Sequence, residues 1–243
     1  IYTGEDTLSL HDALPISWKI KFLIPMSVLL FPQYIRDNYE IEEYRNGISV
    51  LRHAFPNEWN DLVDLLSAFV LRRSEVIAPG GRKSTVADQL DSFLYARGWG
   101  ETEFKTAIHL DEYELIKSAI GNGKNTVIST LKNSTITEVP THKIDCFKNK
   151  VAIEVEWNNK DPFFDRDLNN FRLLFDLGAV SVGVVITRAS ELQELFKSLG
   201  KGASYGSSTT HMGKLRSKLF GQGSGGCPVI AIGIKASLYD EFS

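Results

Sequence analysis

Asp145, Glu154 and Glu156 are the residues of this chain whose types and spacing can do chemistry. Both glutamates stand in VAIEVEW (151–157). A period of two puts Ala152, Glu154 and Glu156 on one face of that strand, and Ile153, Val155 and Trp157 on the other. Upstream, 144–147 reads as a second strand, joined to the first by a hairpin over Lys148 and Asn149 or by a four-residue loop. Either turn sets Asp145 opposite Ala152, on the glutamate face and diagonal to Glu154. Carboxylates packed this closely repel, and burying them is costly, so they stay ionised together only around a cation. Hard oxygen ligands of this kind suit Mg²⁺ or Mn²⁺, and a magnesium ion completed by water awaits phosphate oxygens. The bland alternative is an exposed strand face whose acids simply meet water. The conjunction with Asp145, and with the polar WNNKD (157–161), weighs against it.

The elements that must position these groups read as α/β. Residues 34–73 have a helical pattern, with Leu62, Leu65, Leu66 and Phe69 at helical spacing. Pro56 opens the helix containing them, and Phe55 or Asn57 lies at its cap. APGGRKST (78–85) is a turn entering another helix, with Ser84 or Thr85 as N-cap. Strands dominate from about Ile136. LNNFRLLFDLG (168–178) reads as a helix stopped by Gly178, and 190–199 as a further helix. AVSVGVVIT (179–187) is a strand covered on both faces, 200–218 a Gly/Ser-rich loop region, and PVIAIGI (228–234) a last central strand. A strand–helix–strand core preceded by helices is an α/β arrangement.

The chain has 243 residues and 43% hydrophobic content, enough for one large core. A net charge of −3 excludes a globally basic protein, yet residues 195–239 carry six Lys or Arg and no acid, a local surface able to meet phosphates. Cys146 and Cys227 form no CxxC or Cys/His cluster, which points to a reducing compartment and no structural zinc. TLSLHDALPIS, near the start, resembles a translated sequencing-adapter oligonucleotide. Residues 1–16 are therefore read as non-native, with Met26 near the true start and 26–243 as a single domain. KIKFLIPMSVLLF has the flank and apolar run of a signal peptide but is short, contains Pro25 and lacks a cleavage site, so a cytoplasmic protein is expected. Neither PGGRKST nor GNGKNT (121–126) has Walker A spacing, which excludes an NTPase of that type. Neighbouring acids on one strand face are also poorly placed for a two-carboxylate glycosidase.

The stretch 145–188, DCFKNKVAIEVEWNNKDPFFDRDLNNFRLLFDLGAVSVGVVITR, resembles the core of BglII-type restriction endonucleases. SYGSSTTHMGKL (204–215) and GGCPVIAIGI (225–234) fit the same family. The resemblance implies the PD-(D/E)xK restriction-endonuclease-like fold, a central mixed β-sheet flanked by helices. Its pattern is an acid, a hairpin, then acid-x-(Lys or a substitute), and Asp145, Glu154 and Glu156 fall on those places. Glu in the last place is the BamHI-like variant, which leaves open the group that activates water; Lys160 lies beyond the strand. The implied activity is that of a homodimeric type II enzyme cutting double-stranded DNA at a specific palindromic site. Mg²⁺, with Mn²⁺ able to substitute, would be held by Asp145, Glu154 and the Val155 carbonyl. Glu156 would orient or deprotonate the attacking water, leaving a 5′-phosphate and a 3′-hydroxyl. A cognate DNA methyltransferase is the expected genetic partner. The competing readings are a same-fold nuclease of repair or defence without fixed-sequence cutting, and a non-catalytic DNA-binding protein on a decayed scaffold. Retention of all three carboxylates disfavours decay.

Asn158, Asn159, Lys160 and Asp161 follow the catalytic strand and are candidates for reading bases, since Asn pairs with adenine and Lys donates to guanine. A polar loop with Asx turns is the plainer alternative. Arg166 and Arg188 are candidates for phosphates or base edges, Arg166 equally for a salt bridge to Asp165 or Asp167. Ser207, Ser208, Thr209, Thr210, His211 and Lys214 form a hydroxyl-rich basic loop suited to backbone contacts. Arg82 and Lys83, at a helix start, are a further phosphate site. His142 lies near enough to Asp145 to approach a metal, although a satisfied polar histidine is the commoner role.

Overall fold

The computed structural model describes residues 26–78, 84–121, 124–206 and 208–243. The adapter-like segment 1–16, Arg82, Lys83 and Ser207 lie outside the described residues. In chain order the elements are α1 (Gln33–Asn38), β1 (Tyr39–Tyr44), α2 (Gly47–Ala54), α3 (Pro56–Ala68), β2 (Leu71–Arg72), α4 (Arg73–Ile77) and α5 (Thr85–Tyr95). β3 (Gly100–Thr102), β4 (Thr106–Gly121), β5 (Lys124–Val139), β6 (Ile144–Lys148), β7 (Val151–Val155) and α6 (Pro162–Asp176) follow. The chain then forms β8 (Val182–Arg188), α7 (Leu192–Ser198), α8 (Met212–Phe220), β9 (Val229–Ile234) and β10 (Tyr239–Asp240).

Six strands make one mixed sheet in the order β1-β9-β8-β7-β6-β3. The apolar runs of β7, β8 and β9 pair in parallel at its centre and are buried throughout, as strands covered on both faces must be. One face packs on α2, α3, α5 and α7 through residues such as Leu51, Leu62, Leu90 and Phe196. The other packs on α6 and α8 through Phe164, Leu168, Phe171 and Leu215. Pro56 opens α3 from the Phe55 cap, Ser84 Oγ accepts the Ala87 N–H at the start of α5, and Gly178 ends α6 with φ 72°. Both cysteines are free and buried. Among the described residues no helix is long and apolar enough to cross a membrane.

Three local expectations are corrected. YEIEEY is the edge strand β1 rather than part of a helix, paired antiparallel with β9 from Tyr39↔Ile234 to Tyr44↔Val229. Its Glu40 and Glu42 both ion-pair with Arg216 of α8, so sheet pairing overrides the helix preference of glutamate. Strands begin well before Ile136, because β4 and β5 form a long antiparallel ribbon outside the main sheet. The region 200–218 is not all loop, since α8 begins at Met212 and buries Met212, Leu215 and Leu219.

Gly183 shows how tightly β8 is covered: a Cβ there would lie 2.4 Å from the Phe171 ring of α6. Gly183→Val is expected to destabilise the protein by about 1–3 kcal/mol through overpacking. A urea midpoint unchanged from wild type would show that α6 does not clamp the sheet there.

Candidate active site

The turn between β6 and β7 is Asn149–Lys150, both left-handed (φ 45° and 68°), the conformation whose twist matches a two-residue hairpin. It pairs Lys148↔Val151, Phe147↔Ala152 and Cys146↔Ile153. The register is shifted by two from the expected turn over Lys148 and Asn149, because Asn tolerates the left-handed region. A shift of two preserves the face but brings Asp145 abreast of Glu154 rather than diagonal to it. Asp145 Oδ2 then accepts the Val155 N–H at 3.0 Å, and Asp145 N–H points to Glu154 Oε2 at 3.4 Å. Asn149 Nδ2 donates to Glu58 Oε1 at 2.7 Å, anchoring the turn on α3.

Glu154 and Glu156 are both buried, and a third buried carboxylate, Asp167 of α6, joins them. Arg166 bridges two of these acids, reaching Glu156 Oε1 at 3.2 Å and Asp167 Oδ1 at 2.8 Å, with its guanidinium over the Phe163 ring. Asn159 Nδ2 donates to Glu156 Oε2 at 2.7 Å. Thr187 and Thr210 hydroxyls donate to the Glu156 carbonyl at 2.8 and 3.0 Å, fixing its backbone. One guanidinium cannot neutralise the group. Burial pushes the Asp145 carboxyl up to about 6 and the Glu156 carboxyl up to about 9, the latter also raised by Asp167. Glu154 is raised well above the ordinary range by burial and by Asp167 and Asp145, and burial raises Asp167 as well.

Asp167 did not figure in the expected site, yet its signal was in the helix pattern. Phe164, Leu168, Phe171 and Leu174 form the buried stripe of α6, and Asp167 occupies a stripe position three residues after Phe164. A carboxylate facing the core with the apolar stripe needs a polar reason to be there.

The residues present fit a divalent cation. Glu154 Oε1 and Asp167 Oδ2 are buried with no hydrogen-bond partner among the described residues, an arrangement that a cation relieves. One ligand atom each from His142, Glu154 and Asp167 lie within 4.8 Å of one another. Asp145, Val155 and Glu156 line a cleft of about 460 Å³ whose walls also include His142, Asn158, Arg166 and, from α5, Tyr95. Tyr95 Oη donates to the Asp145 carbonyl at 3.0 Å, holding the strand against that wall.

The family model described as Restriction endonuclease BglII/BglIII matches residues 39–234. The chain belongs to this family. It is a type II site-specific deoxyribonuclease, and its mixed sheet flanked by helices is the restriction-endonuclease fold. No curated protein gives a significant match over the chain.

The endonuclease distributes the other expected DNA contacts unevenly. Lys160 and Ser208 are exposed, and Asn158 is partly exposed on the cleft wall with φ 62°. Lys160 and Thr209 form an isolated β-bridge, which ties the loop after β7 to the loop before α8. Asn159 is held by Glu156, and Asp161 by ion pairs to Lys214 and Lys218 at 3.4 and 3.6 Å. Arg166 serves the carboxylates, so of its two expected roles it takes the salt bridge to Asp167. His211 Nδ1 meets Ser190 Oγ at 3.1 Å. Thr210 and Arg188 are buried rather than presented to a groove. Arg188 donates to Thr209 Oγ1 at 3.0 Å and the Tyr205 carbonyl at 3.3 Å, and burial lowers its pKa to about 10. Both therefore support the loops that face the cleft. Ala78 and Ser84, which flank the segment carrying Arg82 and Lys83, line that cleft.

Proposed function

We propose that the endonuclease hydrolyses DNA with Mg²⁺ held by Asp145, Glu154 and the Val155 carbonyl. The observation that carries this reading is the buried Glu154 carboxylate, with Oε1 unpartnered, beside an Asp145 that lines an open cleft. Bound there, the ion supplies Lewis-acid stabilisation of phosphate charge and a water of lowered pKa. Glu156, clamped by Thr187, Thr210 and Asn159, orients that water and accepts its proton within hydrogen-bond reach. With a pKa of about 9 in the metal-free protein, Glu156 is protonated at neutral pH, so it gains base character only as positive charge enters the site. Arg166 pairs with both Glu156 and Asp167 and offsets part of their charge. Digestion of sequenced phage DNA, with and without a chelator, tests this reading. Discrete fragments ending in 5′-phosphates support it, and undiminished cutting in chelator sinks it.

Base reading is assigned to Asn158 and Lys160, and backbone holding to Ser208, Thr209, Lys214, Arg82 and Lys83. Asn159, Asp161, Arg166, Arg188, Thr210 and His211 position these groups. Lys160→Ala, combined with Glu154→Ala to block cutting, is expected to cost about 1–3 kcal/mol in binding to the cognate duplex. Binding to unrelated duplex should barely change; equal weakening of both in an anisotropy titration would make Lys160 a phosphate contact instead.

A palindromic target calls for two-fold symmetry, and a homodimer meets it. The β4–β5 ribbon supports that reading, since an isolated two-stranded ribbon is marginal in water and this one exposes Ile108, Leu110, Leu115 and Ile136. A cytoplasmic enzyme forming one domain over 26–243, with a methyltransferase encoded nearby to protect host sites, completes the proposal.

A further inference from the structure

Asp167 brings to the site a carboxylate that is only half used. Its Oδ1 takes hydrogen bonds from Arg166, at 2.9 Å from Nε and 2.8 Å from a terminal nitrogen, while Oδ2 is buried with no partner among the described residues. Glu154 has the same asymmetry: Oε2 receives the Asp145 N–H and Oε1 receives nothing. Both side chains are 0% exposed, where an unmet oxygen is costly. The third member of the group is the His142 imidazole, with a ring nitrogen within 4.8 Å of both carboxylates. Asn170 of α6, itself buried, grips the His142 backbone twice. Its Oδ1 takes the His142 N–H at 3.4 Å and its Nδ2 donates to the His142 carbonyl at 3.0 Å. Asn170 thus fixes the backbone that carries the ring.

We propose that His142, Glu154 and Asp167 form a second cation site, on the α6 side of Glu154, that takes Mn²⁺ or a borderline ion such as Co²⁺ or Zn²⁺ in preference to Mg²⁺. Two carboxylate oxygens and one imidazole nitrogen are a mixed donor set. The nitrogen favours Co²⁺ or Zn²⁺ and is accepted by Mn²⁺ more readily than by Mg²⁺, which is served by oxygen and water. Asp145 stands outside the set, because the ligand atoms that converge there are those of His142, Glu154 and Asp167. Glu154 belongs to both places. An ion on its α6 side neutralises Asp167 and locks the Glu154 carboxylate in the orientation that the Asp145 side needs. The inference rests on the catalytic reading only through this shared residue.

The test is pulsed electron paramagnetic resonance of Mn²⁺ titrated into the DNA-free protein, where a coordinated imidazole shows as ¹⁴N modulation. Wild type and Asp145→Asn are expected to show it. His142→Gln should abolish it and weaken Mn²⁺ binding about tenfold or more, with Mg²⁺ affinity in competition changed by less than about twofold. His142→Asn provides the same readout should the glutamine variant fold poorly. Absence of ¹⁴N modulation in wild type at saturating Mn²⁺, or its persistence in the His142 variants, overturns the proposal. Loss of it in Asp145→Asn also overturns it, since the two sites would then be one. Cleavage plays no part in this readout, so failure of the Mg²⁺ mechanism with the nitrogen signal intact would leave the site standing.

Discussion

Replacing Glu154 by alanine is expected to lower the single-turnover rate of DNA cleavage by on the order of 10³-fold or more at saturating Mg²⁺. The magnitude follows from what the carboxylate is placed to do. It is fully buried, one oxygen has no partner among the described residues, and it stands abreast of Asp145. On the proposed mechanism, losing it removes a direct metal ligand and with it several kcal/mol of charge stabilisation at the phosphate. Removing the charge alone should not cost stability in chelator. Glu154 sits among Asp145, Asp167 and Glu156, whose repulsion and desolvation all disfavour its charge. The near-isosteric Glu154→Gln avoids the cavity that alanine leaves, and is expected to match or exceed wild type in its thermal midpoint without metal. Activity lost together with stability would mark Glu154 as a structural residue. Cleavage retained to within about tenfold would remove it from the mechanism.

The buried carboxyls are expected to make the metal-free protein less stable as pH rises from about 4 to about 9, a contribution opposite to ordinary acid denaturation. It is offset in part by His142 and His211, whose pKa values burial lowers. The sign follows from the folded carboxyls, which hold protons more tightly than unfolded ones: Asp145 is raised from 3.8 to about 6 and Glu156 from 4.5 to about 9. Across that window the folded state binds more protons, so stability is fully present below the unfolded values and is lost as pH climbs through the folded ones. Asp145 alone accounts for roughly 2–3 kcal/mol of that loss. A divalent cation binds the ionised form, so saturating Mg²⁺ should flatten or invert the trend. Urea midpoints at about pH 5 and about pH 8.5, in chelator and in Mg²⁺, measure it. A midpoint in chelator that rises with pH would mean that these carboxylates are paired far better than the geometry shows.

The strand carrying Glu154 and Glu156 was the most legible part of the chain, for a physical reason. Alternation in VAIEVEW is a local property of an extended backbone, so the acidic and apolar faces could be assigned from residue order alone. Parity also protected the placing of Asp145: the turn moved to Asn149–Lys150, yet a shift of two leaves every side chain on its face. The continuous apolar strands β8 and β9, the Pro56 helix start, the Ser84 cap and the Gly178 stop are local signals of the same kind.

Other features depend on partners remote in sequence, and only the tertiary structure decided them. YEIEEY is a strand because β9 offers an edge and Arg216 offers counter-charge, neither of which is near it in the chain. Arg188 and Thr210 looked like DNA contacts by type, but packing turned them inward to hold the Tyr205–Thr209 loop and the Glu156 carbonyl. Asp167 reaches the carboxylates only because the β7–α6–β8 crossover lays α6 against the acidic face. Residue order therefore determined which groups share a face within one strand. The energetic balance of the site, four acids against one guanidinium and two unmet oxygens among the described residues, arises only where strand, helix and loop converge.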